Sequence, residues 1–205
     1  MPTYQSTPQL EQGLPESTGI LVVNLGTPQA PTTTAVRRFL KQFLADPRVV
    51  EYPRLLWWLV LNLFILRVRP SRAAAAYRKI WMDQGSPLLV HSLAITNKLQ
   101  RRLASHENGP IMVELAMTYG EPSIDSAIDR LLANGARRML TLPLYPQYSG
   151  ATTASVFDAI ARKFARLRWL PESRFINDYH DAPGYIDALA GSIRADWTLH
   201  GRGDK

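Results

Sequence analysis

The chain has 205 residues, 46% of them hydrophobic, and no cysteine. This length suits one domain or one domain with part of a second, and the lack of cysteine excludes disulfides and thiolate metal sites within the chain. The net charge is +7, and the segment from Arg37 to Lys79 alone holds ten basic and two acidic residues. No nucleic-acid recognition motif accompanies this basic segment, so we expect solvated helix faces, or attraction to an anionic membrane or a carboxylate ligand.

The N-terminal residues are polar, include three prolines and lack the apolar stretch of a signal peptide. We therefore predict a disordered tail over residues 1–17. The most apolar run, Leu55 to Val68, has 14 residues and is interrupted by Asn62 and Arg67. A membrane-spanning helix needs about 20 apolar residues, so this run is too short to cross a bilayer. It is typical of a buried helix, and equally of an interfacial anchor or the lip of an apolar pocket.

The first half of the chain predicts one strand followed by helices. Branched apolar residues from Thr18 to Leu25 are typical of a central parallel strand. Helical spacing then predicts a helix that follows a run of threonines and stops at Pro47. Two more helices are predicted, one capped by Ser71 and ending near Trp81, and one that begins at Ser86-Pro87 and ends near Ser105.

The second half alternates strands with helices. The predicted strands are 111–118, 138–144 and 174–179, and the helix after the first of them is capped by Ser123 and closed by Gly135. The next helix covers 153–169. Asp181 is predicted to cap the last helix, whose inward residues would be Ile186, Leu189, Ala190, Ile193 and Trp197. Alternation of this kind predicts a flavodoxin-like α/β domain with a four-stranded parallel sheet over residues 18–200, followed by a linker at 201–205.

Three loops carry the candidate site: 24–28, 84–88 and 142–150. Two of them follow predicted strands, and ligands of open α/β sheets bind beyond the carboxyl ends of the strands. The loops hold few acid-base or nucleophilic groups, which favours a large, flat, mostly apolar ligand. Gly26 is the only glycine in its turn, whereas a dinucleotide fingerprint needs three, so nucleotide binding is not expected.

Several side chains have both a binding and a packing interpretation. Arg69 could grip a carboxylate with two parallel hydrogen bonds, or could be one solvated arginine among many. Tyr77, two helical turns further on, could face the same ligand or pack in the core. Tyr145 and Tyr148 lie in a stiff, proline-containing loop and could stack on a flat ligand or pack inward. His180 lies between Asp178 and Asp181, but an ordinary turn is the favoured interpretation, and we expect no metal site.

Five motifs follow one another in the chain: NLGTP, RVRPSRAAAAYRKIW, QGSPLL, TYGEPS and LPLYPQYSGATT. Together they resemble ferrochelatases, most closely the proteobacterial, protoporphyrin-type enzymes. The resemblance runs from about Thr18 to the end of the chain, in order and with sensible spacing. It implies a chelatase-type α/β domain that is one of two similar halves, with the porphyrin in the cleft between them.

The resemblance also implies a function and a set of site residues. Ferrochelatases insert ferrous iron into protoporphyrin IX to give protohaem, the last step of haem biosynthesis. The implied partners are protoporphyrin IX and ferrous iron, with peripheral contact to the inner membrane from the cytoplasm and no nucleic acid. The porphyrin-binding positions would be Leu25, Arg69, Tyr77, Ser86 and Tyr145. The membrane or pocket lip would include Trp57, Trp58, Leu61 and Phe64.

Two departures from the family pattern limit what this chain can supply. Gly150 stands where some relatives carry a cluster-binding cysteine, so we expect no iron–sulfur cluster and no bound cofactor. The family's metal-handling histidine and glutamate would lie after Lys205, so we expect no catalytic or metal residue in this chain and no activity from it alone. The alternatives are a stand-alone porphyrin- or haem-binding module and a related tetrapyrrole chelatase for another metal.

Overall fold

A computed structural model describes residues 4–5, 16–104 and 109–203. It contains a four-stranded parallel sheet in the order β2-β1-β3-β4, which confirms the predicted flavodoxin-like α/β class. The strands are β1 Ser17–Gly26, β2 Ile111–Tyr119, β3 Ala136–Pro143 and β4 Glu172–Phe175. β1 is central, and Leu21, Val22 and Val23 are completely buried in it.

The helices cover both faces of the sheet. They are α1 Thr33–Ala45, α2 Arg54–Val60, α3 Leu66–Ile80, α4 Pro87–Leu103, α5 Ile124–Ala133, α6 Ser155–Phe164 and α7 Pro183–His200. Leu21 and Val23 belong to an apolar cluster with residues of α5 and α6, whereas Ile20 and Val22 belong to one with residues of α4. Because alternate residues of a strand point to opposite faces, a strand covered on both sides needs the continuous apolar run seen here.

Three predicted helix starts are confirmed. The hydroxyl oxygens of Thr32, Ser86 and Ser123 each accept a hydrogen bond from the main-chain N–H three residues on, and so cap α1, α4 and α5. Ser86 is followed by proline at the first helical position, as the sequence indicates. These local signals give the boundaries correctly because each cap depends on a single residue and its immediate neighbours.

The helix predicted to start at Ser71 is instead part of a longer one. Three segments, α2, a π-helical segment at Leu61–Ile65 and α3, follow one another without a break. Together they form one long helix from Arg54 to Ile80. Ser71 lies inside α3, and its hydroxyl donates to the main-chain oxygen of Val68 rather than capping. Pro70 also lies inside this helix, and because proline has no N–H, it gives the oxygen of Leu66 no helical donor. Nε of Arg37 in α1 donates to that oxygen at 2.9 Å, which helps the helix to continue.

The last elements also differ from the prediction. β4 begins two residues earlier than expected and is short, and α6 ends at Phe164. Asp181 does not cap α7, whose N-cap residue Ala182 has no side-chain hydrogen bond. Four of the five predicted inward residues of α7 are exposed, and the fifth, Ala190, is half-buried. The exposed fractions of Ile186, Leu189, Ile193 and Trp197 are 42–47%. Helical spacing identified the apolar residues, but the described part of the chain has no element that buries them.

The two ends of the chain are described only in part. Residues 1–3 and 6–15, most of the predicted tail, lie outside the described residues, as do Asp204 and Lys205 of the predicted linker. Gln5 is described, and its main chain exchanges hydrogen bonds with Arg166 and Arg168. The disordered tail and the linker therefore stay predictions. Among the described helices, none is both long and apolar enough to span a membrane.

Candidate functional site

The carboxyl ends of β1 and β2 meet closely at Gly26. This glycine has φ +108°, and a Cβ there would lie 1.8 Å from the main-chain oxygen of Tyr119. Two side-chain hydrogen bonds hold Asn24, which lies two residues before Gly26. Its Nδ2 donates to Oγ of Ser92 at 3.0 Å, and its main-chain oxygen accepts from the Thr118 hydroxyl at 3.2 Å. The loop that presents Leu25 is thus held in place by α4 on one face of the sheet and by β2, the neighbouring strand.

Leu25 and Tyr77 pack against the same apolar cluster. Both are partly buried and contact the apolar cluster that α1 forms with the long helix. The Tyr77 ring lies edge-on to Trp81, with 6.2 Å between the ring centroids, and burial raises the pKa of its phenol. Leu25, after β1, and Tyr77, in α3, were assigned to the site from separate motifs. Both therefore belong to one apolar wall.

Arg69 lies on the exposed side of α3, eight residues before Tyr77. Eight residues of an α-helix make about two turns, so Arg69 lies about two turns before Tyr77 on the same helix. The ion pairs of the described residues involve other cations, which leaves the Arg69 guanidinium available for a ligand. The arginine was predicted at a helix start, but the structure places it inside a continuous helix.

Ser86 is buried, and its hydroxyl already has a structural partner. Its Oγ accepts a hydrogen bond from the main-chain N–H of Leu89 at 3.2 Å. Gly85, directly before it, has φ +130°, and this backbone turn sets the start of α4. The assigned site residue thus holds the end of the loop 84–88 in position.

The loop after β3 turns one tyrosine inward and one outward. Tyr145 packs against the cluster between β1 and the α5–α6 layer, whereas Tyr148 is 57% exposed. Burial raises the pKa of the Tyr145 phenol, with a smaller opposing effect from the Thr118 hydroxyl. Within the described residues, the buried Tyr145 hydroxyl has no hydrogen-bond partner. A buried polar group without a partner costs stability, so this hydroxyl does not help to hold the loop, and the ring is the part of Tyr145 that could serve a ligand.

Sequence reasoning missed one pair at this edge, Tyr119 and Asp46. The Tyr119 hydroxyl donates to Oδ2 of Asp46 at 2.6 Å, and its ring lies edge-on to Phe43. Burial, and then the hydrogen bond to Asp46, raise the pKa of the Tyr119 phenol. The TYGEPS motif contains this tyrosine, but nothing in the sequence pairs it with a carboxylate 73 residues away.

The four residues assigned to the lip divide into two kinds. Trp58 and Phe64 are exposed, at 57% and 66%. Leu61, by contrast, is buried at 3% in the cluster with α1, and Nε1 of Trp57 donates to the main-chain oxygen of Leu44 at 2.7 Å. Trp57 and Leu61 therefore attach the helix to the domain, and Trp58 and Phe64 are the two that face outward.

One group of possible metal ligands is present in the described part of the chain. The ligand atoms of Asp178, His180 and Asp181 lie within 4.8 Å of one another, and all three residues are exposed. Nδ1 of His180 is 3.6 Å from Oδ1 of Asp178. The turn also approaches the Tyr145 loop, because the N–H of Tyr179 donates to the oxygen of Pro146 at 2.9 Å. The expectation of no metal site stays a prediction.

Comparison with known proteins identifies the family of this chain. A model of the ferrochelatase family matches residues 17–205. The chain belongs to the ferrochelatase family. It is 56% identical to a ferrochelatase of Thioalkalivibrio sulfidiphilus over 94% of this chain and 52% of the relative, and 54% identical to one of Teredinibacter turnerae over 92% and 51%. A ferrochelatase of Idiomarina loihiensis is 50% identical over 98% and 56%.

The chain spans about half the length of the ferrochelatases that it matches. The identity extends over nearly all of this chain, so the resemblance read from the five motifs is confirmed at the level of the family. The described edge of the sheet corresponds to one part of the longer relatives.

Proposed function

We propose that the full-length protein is a ferrochelatase, which inserts ferrous iron into protoporphyrin IX to give protohaem. In this proposal, the present chain supplies one wall of the porphyrin site. The observation that supports it best is the common apolar cluster of Leu25 and Tyr77, with the exposed Arg69 two turns away on the same helix as Tyr77. Porphyrins combine a flat apolar ring with carboxylate side chains, and this wall offers a partner for each part.

Each wall residue has a distinct proposed role. Leu25 and the Tyr77 ring contact one part of the macrocycle, and the Tyr145 ring contacts another from the loop after β3. Arg69 pairs with a propionate through charge-assisted hydrogen bonds, which fixes the orientation of the ring. Ser86 holds its loop through the α4 cap.

Metal insertion also needs a base. One Fe²⁺ enters the ring as two pyrrole N–H protons leave, and a histidine with a pKa near neutral is well suited to accept them. The histidines in the described part of the chain, His91, His180 and His200, are all exposed. We therefore propose that the base comes from another part of the full-length protein, and that this chain binds porphyrin without metallating it. We also propose that this half binds no iron–sulfur cluster, because it has no cysteine.

The outward side chains of the long helix support a peripheral membrane contact. Leu55, Trp58 and Phe64 are exposed, with fractions of 57% or more, in a helix flanked by arginines. Such amphipathic surfaces lie in the interface of a bilayer without crossing it. We propose that the protein works in the cytoplasm, in contact with the inner membrane, where an apolar porphyrin can reach the site.

The deciding experiment is a titration of the purified chain with protoporphyrin IX, followed by fluorescence quenching and the shift of the Soret band. We expect binding, and no metallation after anaerobic addition of ferrous iron. Absence of binding to both this chain and the full-length protein would overturn the proposed function. Metallation by this chain alone would overturn the proposed location of the base and direct attention to His91 and His180.

The role of Arg69 has its own test. Arg69→Ala should weaken protoporphyrin IX binding about tenfold, the effect of losing a charge-assisted hydrogen bond at an exposed site. Arg101→Ala, which removes an exposed arginine from α4, is the matched control. A porphyrin without carboxylates should bind wild type and Arg69→Ala equally. An equal loss for both porphyrins would contradict the propionate contact.

A further inference from the structure

An open groove of about 470 Å³ lies between α1 and the long helix, beside the proposed membrane contact. It has four basic side chains and no acidic one, and its lining residues are Thr34, Arg37, Arg38, Lys41, Asn62, Leu66 and Arg67. The proposed porphyrin wall does not use these cations. The groove therefore needs its own explanation.

The four cations differ in what they contact. Nε of Arg37 donates to the main-chain oxygen of Leu66, which fixes that side chain across the floor of the groove. Arg38, Lys41 and Arg67 are exposed, and the ion pairs of the described residues involve other cations. Like charges that converge without an acid between them repel one another and create a positive local potential. An anion in the groove would relieve this repulsion.

Exposed apolar residues of the long helix stand next to the groove-lining residues in the chain. Asn62 lines the groove, and the next two residues, Leu63 and Phe64, are 43% and 66% exposed. One turn or so earlier, Trp58 and Leu59 are 57% and 39% exposed. Apolar side chains that can enter the acyl boundary thus adjoin cations at the height of the headgroups, the arrangement by which interfacial helices bind anionic bilayers.

We propose that this groove binds the phosphate of an anionic phospholipid headgroup while the adjoining apolar side chains enter the bilayer. The inference rests on the membrane contact proposed above and adds a lipid class and a site to it. The open shape of the groove suits a headgroup presented by a surface, and the adjoining apolar side chains favour a lipid over a free phosphate ion. Arg38, Lys41 and Arg67 contact the phosphate, and Arg37 keeps the floor of the groove in place.

The test is flotation of the purified chain with phosphatidylcholine vesicles and with vesicles that also contain phosphatidylglycerol. The combined variant Arg38→Gln, Lys41→Gln and Arg67→Gln should bind anionic vesicles about a hundredfold more weakly than wild type, because each basic residue near such a surface adds about one factor of five. The control removes three exposed cations from α4 by Lys98→Gln, Arg101→Gln and Arg102→Gln. The control should lose no more than about threefold, and circular dichroism should show both variants folded.

The apolar part is tested separately by Leu63→Ser with Phe64→Ser. This variant should lose binding to both kinds of vesicle and keep its preference for the anionic one. An equal loss for the groove variant and the α4 control, or no preference of wild type for anionic vesicles, would overturn the groove proposal. Displacement from vesicles by millimolar inorganic phosphate at constant ionic strength would assign the groove to free phosphate and also overturn it. Absence of binding to any vesicle would overturn the membrane contact itself, while the porphyrin titration would still test the enzyme assignment.

Discussion

Nε of Arg37 donates to the main-chain oxygen of Leu66, the oxygen that Pro70 leaves without a helical partner. In an α-helix the N–H of residue 70 would bond to this oxygen, but proline has no N–H. A side chain of α1 therefore replaces a missing bond of the neighbouring helix. Because Arg69 and Tyr77 lie on that helix, the bond also contributes to the position of the candidate site.

We expect Arg37→Ala to lower the free energy of unfolding by about 1–2 kcal/mol, the cost of leaving a buried acceptor unpaired. Combined with Pro70→Ala, which restores the helical N–H, the same substitution should cost clearly less. Urea denaturation of the two single variants and the double variant measures this coupling. Arg38→Ala, the adjacent exposed residue, is the control and should stay within about 0.5 kcal/mol of wild type. Equal costs of Arg37→Ala in both backgrounds would contradict the proposed replacement.

Gly26→Ala should be among the most damaging small substitutions in this chain. The new Cβ would lie 1.8 Å from the Tyr119 oxygen, at φ +108°, so both steric overlap and backbone strain oppose it. We expect a loss of about 3 kcal/mol or more in thermal or urea denaturation, or no folded protein. Gly191→Ala in α7 is the control, since a Cβ there meets nothing within 4 Å. It should be neutral or stabilise by up to about 1 kcal/mol.

Stability should fall at alkaline pH because of Tyr119 and Tyr145. Folding raises the pKa of both phenols, chiefly by burial. Their contribution to stability is therefore complete below the unfolded pKa of about 10 and decreases as the pH rises above it. The urea midpoint measured from pH 8 to 11 should drop at the upper end, and Tyr119→Phe should make that drop shallower. Phe43→Leu, which removes a ring packed on Tyr119 but no titrating group, should lower the midpoint by a similar amount at every pH.

Lys163 and Asp129 should respond unequally to substitution. The Lys163 side chain is 1% exposed, and its Nζ lies 2.6 Å from Oδ1 of Asp129, which is 55% exposed. Asp129→Asn leaves a buried ammonium without its counter-ion and should cost about 2–4 kcal/mol, whereas Lys163→Met removes the buried charge and should cost less. Urea denaturation at neutral pH measures the loss of stability in each of the two variants. Glu114→Gln, which removes the more exposed pair with Arg130, should cost less than about 1 kcal/mol. A larger cost for Lys163→Met than for Asp129→Asn would contradict this account.

Two substitutions at Tyr145 separate the ring from the hydroxyl. The hydroxyl has no partner among the described residues, so Tyr145→Phe should leave stability unchanged or slightly higher. If the ring stacks on the porphyrin, Tyr145→Ala should weaken protoporphyrin IX binding about tenfold, and Tyr145→Phe should bind like wild type. Fluorescence titration of both variants with protoporphyrin IX measures the two affinities. A loss with Tyr145→Phe would show that the hydroxyl also contacts the ligand.

The sequence predicts the sheet and its caps well because both depend on local patterns. The apolar run of β1 must be covered on both faces, and the hydroxyls of Thr32, Ser86 and Ser123 lie next to the helices that they cap. The long helix was predicted as separate pieces because Pro70 normally ends a helix. The bond that lets it continue comes from a residue 29 positions away from Leu66, which no local pattern contains.

The candidate site shows the same division. Gly26 and the tyrosines were singled out from loop motifs, but the pairing of Tyr119 with Asp46 depends on tertiary contact. Likewise, the apolar run and the family resemblance assigned Leu61 and Phe64 to one lip without distinguishing the buried residue from the exposed one. In α7, spacing found an apolar face, and spacing alone does not reveal what covers it.

The π-helical segment at Leu61–Ile65 fixes a rotational phase between the two ends of the long helix. A five-residue turn adds one residue to the ordinary repeat, and one residue corresponds to about 100° of rotation. Closing this segment to ordinary α-helix with all its residues kept would turn Arg69 by about that angle relative to Trp58, whereas deleting one residue at the same time would restore the present phase. The relative direction of the outward tryptophan and the arginine of the candidate site is thus set by the hydrogen-bond pattern of this one wide turn.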